Sequence, residues 1–188
     1  MTQSELPTSA DIVIIGAGIV GSATAYYLAR RGASVVLLEK GRVANQQSSR
    51  NWGWVRQNGR NLKELPMGVF SRKLWEGLER ELGEPLGWAQ DGNIDIAATP
   101  EEMDYFARWK AGAAAVGLET ELLGEGEVRE RIPGLTGPPA GGIFSPTDGQ
   151  ADPHRVAPAF ARRATSLGAN VAEGVAVESV LVEGGHVT

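Results

Sequence analysis

Two short apolar runs in the first forty residues flank a stretch with helical periodicity. Residues 11–15 (DIVII) and 34–39 (SVVLLE) are continuous and rich in β-branched side chains, which is typical of strands buried on both faces of a parallel sheet. Gly32 stands where the C-terminal cap of the intervening helix is expected. The helix itself is predicted from residues that recur at helical spacing, namely Val20, Thr24, Tyr27, Leu28 and Arg31. The pattern predicts one βαβ unit, and hence an α/β fold.

The remaining chain alternates predicted helices with short predicted strands. Helices are expected from Pro66 to about residue 82, from Thr99 to about residue 116, over residues 125–131 and from Asp152 to about residue 167. Strands are expected at 93–97, 142–145 and within 170–182, the last followed by a glycine turn. The first of these helices should bury one face, formed by Phe70, Leu74, Gly77, Leu78 and Leu82.

Composition excludes several kinds of function. The chain has 188 residues, a formal net charge of −5 and no cysteine, so disulfides, thiolate metal sites and a cysteine nucleophile are ruled out. Its two histidines, His154 and His186, are far apart, and no metal site is predicted. No block of Lys or Arg favours nucleic acid or an anionic membrane as a partner. No apolar run is long enough for a membrane span or a signal peptide, and a cytoplasmic location is predicted.

The glycine-rich turn after the first strand is the motif that carries chemistry. Gly16, Gly18 and Gly21 form G-x-G-x-x-G between a predicted strand and a predicted helix, and Glu39 ends the next strand 18 residues later. In such a turn the first glycine permits the tight bend, the second lets a pyrophosphate approach the backbone, and the third lets the helix pack on the strand. The helix N-terminus favours an anion, and the acidic residue accepts hydrogen bonds from the adenosine ribose. Because Glu39 would repel a 2′-phosphate, the pattern predicts FAD or NAD and disfavours NADP.

The four segments that follow resemble one family of flavoproteins when they are taken together in this order. The opening DIVIIGAGIVGSATAYYLARRGASVVLLEKG is similar to that of FAD-dependent oxidoreductases of the D-amino-acid oxidase type, which include glycine oxidase, sarcosine oxidase and D-amino-acid or opine dehydrogenases. Residues 48–56 (SSRNWGWVR), residues 148–153 (DGQADP) and residues 168–171 (GANV) with Val177 also resemble that family. The resemblance runs from about residue 11 to residue 188 and favours FAD over NAD.

The resemblance implies a set of cofactor-binding residues, and the catalytic residues stay unknown. Arg56 would lie near the isoalloxazine, where a cation stabilises the anionic reduced flavin. No histidine stands in the 48–53 segment for covalent attachment, so FAD is expected to be non-covalent. Taken alone, the residues also permit Trp52 and Trp54 to cover a core edge, Ser48 and Ser49 to cap a helix, and Arg56 to be a solvated surface charge. The implied set comprises Gly16, Gly18, Ile19, Val20, Gly21, Glu39, Lys40, Gln47, Ser48, Ser49, Trp52, Gly53, Trp54, Arg56 and Val177.

The implied architecture is a Rossmann-like FAD-binding domain with an inserted α+β segment. Residues 1–83 and 150–188 are expected to form the discontinuous, incomplete FAD-binding domain, and residues 84–149 part of a substrate-binding domain. The chain stops within a predicted hairpin, so it is expected to be truncated. The implied reaction is oxidation of the C–N bond of an amino acid or secondary amine, as oxidase or dehydrogenase, by a homo- or hetero-oligomer. Two alternatives stay open: a fragment without turnover, and an NAD-dependent dehydrogenase.

Overall fold

A computed structural model describes residues 6–187, apart from the side chain of His186. The described chain divides into two compact units. The first unit comprises residues 6–52, 82–86 and 152–187, and the second comprises residues 53–81 and 87–151. The sequence predicted an FAD-binding domain of residues 1–83 and 150–188 and a substrate-binding part of residues 84–149. Division into compact units does not show what each unit binds, so this assignment stays a prediction.

The first unit is built on a three-stranded parallel sheet, which confirms the predicted α/β fold. Its strands are β1 (Ile12–Ile15), β2 (Val35–Glu39) and β8 (Asn170–Glu173), with β2 in the centre. Helix α1 (Ile19–Ala29) connects β1 to β2, and helix α5 (Pro153–Ser166) precedes β8. A short hairpin of β9 (Val182–Glu183) and β10 (His186–Val187) ends the described chain.

Helices α1 and α5 pack against each other through small and aromatic residues. The Tyr26 and Phe160 rings lie 5.6 Å apart between centroids, and the Tyr27 and Phe160 rings 6.1 Å apart. The buried face of α1 is Ser22, Ala25, Tyr26 and Ala29. The helix is confirmed, but the periodic residues that predicted it do not form this face, because Val20 is exposed and small residues make the close contact.

Strand β1 is not buried on both faces, contrary to the prediction. Ile12 and Ile14 are partly buried, whereas Val13 and Ile15 are more than half exposed. Among the described residues β1 pairs only with β2 and forms the sheet edge. Strand β2, in the centre, has the expected burial. At the start of β1, the Asp11 N–H donates to Ser34 Oγ and the Ser34 N–H donates to Asp11 Oδ2, both at 2.8 Å. The bond from the Ser34 backbone N–H is the main cause that lowers the pKa of the Asp11 carboxyl.

The second unit combines an antiparallel sheet with three helices. The sheet has the order β4 (Asn93–Ala97), β6 (Gly141–Ser145), β5 (Glu121–Leu123). The helices are α2 (Leu65–Leu82, whose last residue belongs to the first unit), α3 (Pro100–Ala114) and α4 (Glu125–Arg131). A separate two-residue ladder pairs β3 (Trp54–Val55) with β7 (Gly149–Gln150). The core contains Leu65, Trp109, Ala113, Leu118 and Ile143.

The buried face of α2 agrees with the predicted one only in its C-terminal half, at Leu78 and Leu82. Phe70 and Leu74 are exposed, at 65% and 41%, while Leu65, Leu78 and Leu82 are buried. The helix carries apolar residues on two faces, and Leu65 with Val69 is the pair that joins the core. Periodicity marks both faces as apolar and cannot choose between them, so the choice depended on the neighbouring elements.

Candidate dinucleotide and substrate site

The glycine turn lies between β1 and α1 and depends on close backbone contacts. Gly16 has φ +96°, a left-handed conformation that favours glycine, and its N–H donates to the Leu38 carbonyl at 2.7 Å. A Cβ on Gly21 would stand 1.9 Å from the Gly16 carbonyl oxygen and 3.4 Å from the Ile14 side chain. Only glycine therefore lets α1 start this close to the turn.

Ser48 closes the turn from the opposite side. Helix α1 begins at Ile19 after Gly18, which has no side chain to cap it. The Ile19 N–H donates to the Ser48 Oγ at 2.8 Å, and a Cβ on Gly18 would lie 3.0 Å from that oxygen. The Ser48 hydroxyl keeps its own proton to donate, and the other first-turn N–H groups of an α-helix have no intrahelical acceptor. Ile19 and Val20 are exposed beside them.

Glu39 holds the turn as well as marking the end of β2. Its carboxylate is buried, with Oε2 accepting the Ala17 N–H at 2.9 Å and Oε1 accepting the Gly41 N–H at 2.8 Å. The sequence pattern assigned Glu39 to ribose binding and gave no signal for this backbone role. Each carboxylate oxygen has a second lone pair, so both roles are compatible.

The loop after β2 contributes a residue that the sequence analysis missed. Ala44 is buried with φ +63°, and its N–H donates to the Ala17 carbonyl at 2.9 Å. Alanine in this left-handed region is uncommon, so its type gave no warning. The contact ties the loop to the glycine turn.

The other predicted residues of the first unit lie in the segments that follow β2 and β8. Lys40 and Gln47 are exposed, and Trp52 is 83% exposed. The Ser49 hydroxyl donates back to the Gln46 carbonyl at 3.2 Å. Val177 follows a segment held against β2, in which Val175 N–H donates to the Glu39 carbonyl at 2.9 Å.

The predicted residues of the second unit border one cleft. The cleft has a volume of about 400 Å³, and Trp54, Arg56, Met67 and Trp75 are among its lining residues. Gly53 lies just before it with φ +75°, and its carbonyl accepts the Ala151 N–H at 2.8 Å. The cleft combines aromatic walls with three guanidinium groups, those of Arg56, Arg60 and Arg72, and with one carboxylate, that of Glu64. This excess of positive charge beside aromatic surface is suited to an anion with an apolar part.

Arg56 and Arg72 differ in how firmly they are held. Arg72 is buried, donates to the Thr147 carbonyl and to Gln90 Oε1, and lies 5.5 Å from the centroid of the Trp88 ring. Arg56 is about one-third exposed, and its Nη1 lies 3.9 Å from Asp95 Oδ1. A contact of that length and exposure holds a guanidinium weakly. Arg56 can therefore turn to an anion in the cleft, whereas Arg72 is committed to the protein.

The turn fits the pyrophosphate and ribose of a dinucleotide. The glycines of the turn form a cradle without side chains, which leaves steric space for the pyrophosphate. The exposed helix start at Ile19 provides N–H donors, and Glu39 at the end of β2 provides an acceptor. The same features would fit NAD, so the cradle alone does not identify the dinucleotide.

Within residues 6–187, no helix is long and apolar enough to cross a membrane.

Comparison with known proteins decides the family. The family model described as "FAD dependent oxidoreductase" matches residues 11–188. The chain belongs to this family. The match covers both compact units and agrees with the family resemblance stated from the sequence.

Relatives of the chain include proteins with and without an enzymatic name. It is 33% identical to the sarcosine oxidase subunit beta of an Arthrobacter species, over 96% of this chain and 46% of that protein. It is 31% identical to the mitochondrial pyruvate dehydrogenase phosphatase regulatory subunit of Mus musculus, over 97% of this chain and 21% of that protein. The structure of an L-amino acid deaminase from Proteus myxofaciens in complex with anthranilate matches with a TM-score of 0.92 and 30% identity, over 99% of this chain and 43% of that one. The chain thus spans less than half the length of each of these three proteins.

Proposed function

We propose that the chain forms the dinucleotide-binding part and a portion of the substrate site of an oxidoreductase that oxidises the C–N bond of an amino acid or secondary amine. The supporting observation is the family match over residues 11–188, which includes the intact glycine turn. Relatives named for sarcosine oxidation and L-amino acid deamination support this substrate class. The family also favours FAD over the NAD alternative.

The residues of the first unit have distinct roles toward FAD. The first turn of α1, with Gly18 and Ile19, would face the pyrophosphate, and the Ser48 hydroxyl would donate to it. Glu39 would accept hydrogen bonds from the adenosine ribose while it holds the turn. The predicted contacts of Lys40, Gln47, Ser49, Trp52 and Val177 with FAD stay predictions, as does non-covalent binding.

When bound, FAD accepts the hydride from the carbon that carries the substrate nitrogen. The protein's own task is to orient the substrate at that point. Hydride transfer from a neutral amine requires no general acid or base, so no catalytic residue is assigned.

The cleft of the second unit is suited to the substrate carboxylate. Arg56 is its weakly paired guanidinium, and Trp54, Met67 and Trp75 offer apolar surface to the rest of the molecule. The predicted stabilisation of reduced flavin by Arg56 would use the same positive charge. The expected substrate is an amino acid, or an N-substituted one, with a free carboxylate.

The test is the visible absorbance of the purified protein incubated with FAD, before and after heat denaturation. We expect bound oxidised flavin that heat releases, and bleaching of its bands when sarcosine, glycine or an L-amino acid is added without oxygen. Flavin that remains on the denatured chain would contradict non-covalent binding. A protein that takes up no FAD would contradict the proposal.

The regulatory-subunit relative supports a second candidate, a protein that binds FAD without oxidising an amine. It is distinct from the alternative drawn from the sequence, which is a fragment without turnover. Retained flavin that no amine bleaches would favour it over the proposed oxidoreductase.

A further inference from the structure

Asp148 is a fully buried carboxylate outside the residues assigned to the site. Its Oδ1 accepts the Gln57 backbone N–H at 2.8 Å and the Gln57 Nε2 at 3.0 Å. Its Oδ2 accepts the Asn58 backbone N–H at 3.0 Å. A buried carboxylate that accepts three N–H hydrogen bonds is strongly held, because each of these bonds is charge-assisted. All three donors belong to the two residues that directly follow Arg56.

The backbone around Asp148 is fixed as firmly as its side chain. The Asp148 carbonyl accepts the Gly92 N–H at 2.9 Å. A Cβ on Gly149 would stand 2.1 Å from the Ala89 carbonyl oxygen, so only glycine allows this approach. Arg72 donates to the carbonyl of Thr147, the residue before Asp148. Asp148 is therefore a rigid anchor for the segment that it binds.

Apart from the β3–β7 ladder directly before it, Arg56 has little else to define its position. It follows the two-residue strand β3, and its weak contact with Asp95 is 3.9 Å long. We propose that Asp148 is a positioning residue that sets the place of the Arg56 guanidinium through the backbone of Gln57 and Asn58. This inference rests on the proposed role of Arg56 as the carboxylate-binding group of the cleft.

The variant Asp148→Asn removes the charge at constant volume. One oxygen becomes an amide NH₂, which faces an N–H donor and loses at least one hydrogen bond. We expect the dissociation constant of anthranilate, measured by titration calorimetry on the FAD-incubated protein, to rise roughly tenfold. Asp152→Asn is the matched control, since it makes the same change four residues away at a helix cap that asparagine also serves. Its dissociation constant should stay within about twofold of that of the unsubstituted protein.

A double-variant cycle distinguishes positioning from general loss of structure. Arg56→Gln should weaken anthranilate binding, and Asp148→Asn combined with Arg56→Gln should weaken it no further. The positioning role would be overturned if the two substitutions raise the dissociation constant by factors that multiply in the double variant. It would also be overturned if Asp148→Asn alone leaves the dissociation constant unchanged. If Arg56→Gln leaves binding unchanged, the proposed role of Arg56 fails first. If the unsubstituted protein binds no anthranilate, the carboxylate-binding role of Arg56 fails, and the positioning role of Asp148 fails with it.

Discussion

At the residue scale, single side chains and missing side chains define the dinucleotide cradle. Gly21 is required by a backbone oxygen that a Cβ would approach to 1.9 Å, and a Cβ on Gly18 would crowd the Ser48 hydroxyl at 3.0 Å. Glu39 joins the turn at Ala17 to the start of the next loop at Gly41. The cradle is thus held by contacts between three segments of the first unit.

Glu39→Ala should lower the stability of the protein as well as its affinity for FAD. The substitution leaves the N–H groups of Ala17, which is buried, and of Gly41, which is partly buried, without their acceptor. An unsatisfied N–H costs about 1–3 kcal/mol where it is buried. We expect the free energy of unfolding without FAD, measured by urea denaturation, to fall by about 2–4 kcal/mol. The exposed Glu178→Ala is the control and should change it by less than about 0.5 kcal/mol. An unchanged free energy of unfolding in Glu39→Ala would mean that Glu39 serves only to bind the ribose.

At the scale of elements, helix starts are determined by short local signals. Thr99 Oγ1 accepts the Glu102 N–H at 3.3 Å at the start of α3, and Asp152 Oδ1 accepts the His154 N–H at 2.9 Å at the start of α5. Both helices have proline in their first turn. The last two residues of the DGQADP segment, Asp152 and Pro153, thus start α5, while its first four belong to the second unit.

Asp152→Ala should destabilise the first unit through α5. Loss of the cap leaves the His154 N–H without its acceptor and removes the 3.1 Å ion pair with Arg155. We expect a decrease of about 1 kcal/mol in the free energy of unfolding, measured by urea denaturation. Asp152→Asn keeps a capping oxygen, and a decrease as large as that of alanine would show that the cap is not the cause.

At the scale of the whole molecule, FAD should stabilise the fold by binding the native chain. A ligand present at 100 times its dissociation constant adds about 2.7 kcal/mol to native-state stability. We therefore expect FAD to raise the thermal unfolding midpoint of the unsubstituted protein. Gly18→Asp should abolish that rise, because it places a carboxylate against the pyrophosphate position. Gly134→Ala, at an exposed glycine with open space around it, should retain the rise. A full rise in Gly18→Asp would contradict the assignment of the turn.

The sequence by itself determined the elements whose signals are local. G-x-G-x-x-G between a strand and a helix, the caps at Thr99 and Asp152, and helix α4 over residues 125–131 were all predicted, because each depends on neighbouring residues only. The family followed from four such segments in order. The buried polar network around Asp148 had no local signal, since its donors lie about ninety residues away.

Only the tertiary structure decided which apolar faces are buried. Val13 and Ile15 are as apolar as Val36 and Leu37, yet β1 is an edge strand among the described residues and β2 is central. On α2, Leu65 packs into the core and Phe70 does not, although both match a helical period. The second task of Glu39 arose in the same way, because the Ala17 N–H is brought to it across 22 residues. The burial of a side chain and its buried hydrogen bonds depend on partners that are distant in sequence. Where those partners lie is fixed only when the whole chain has folded.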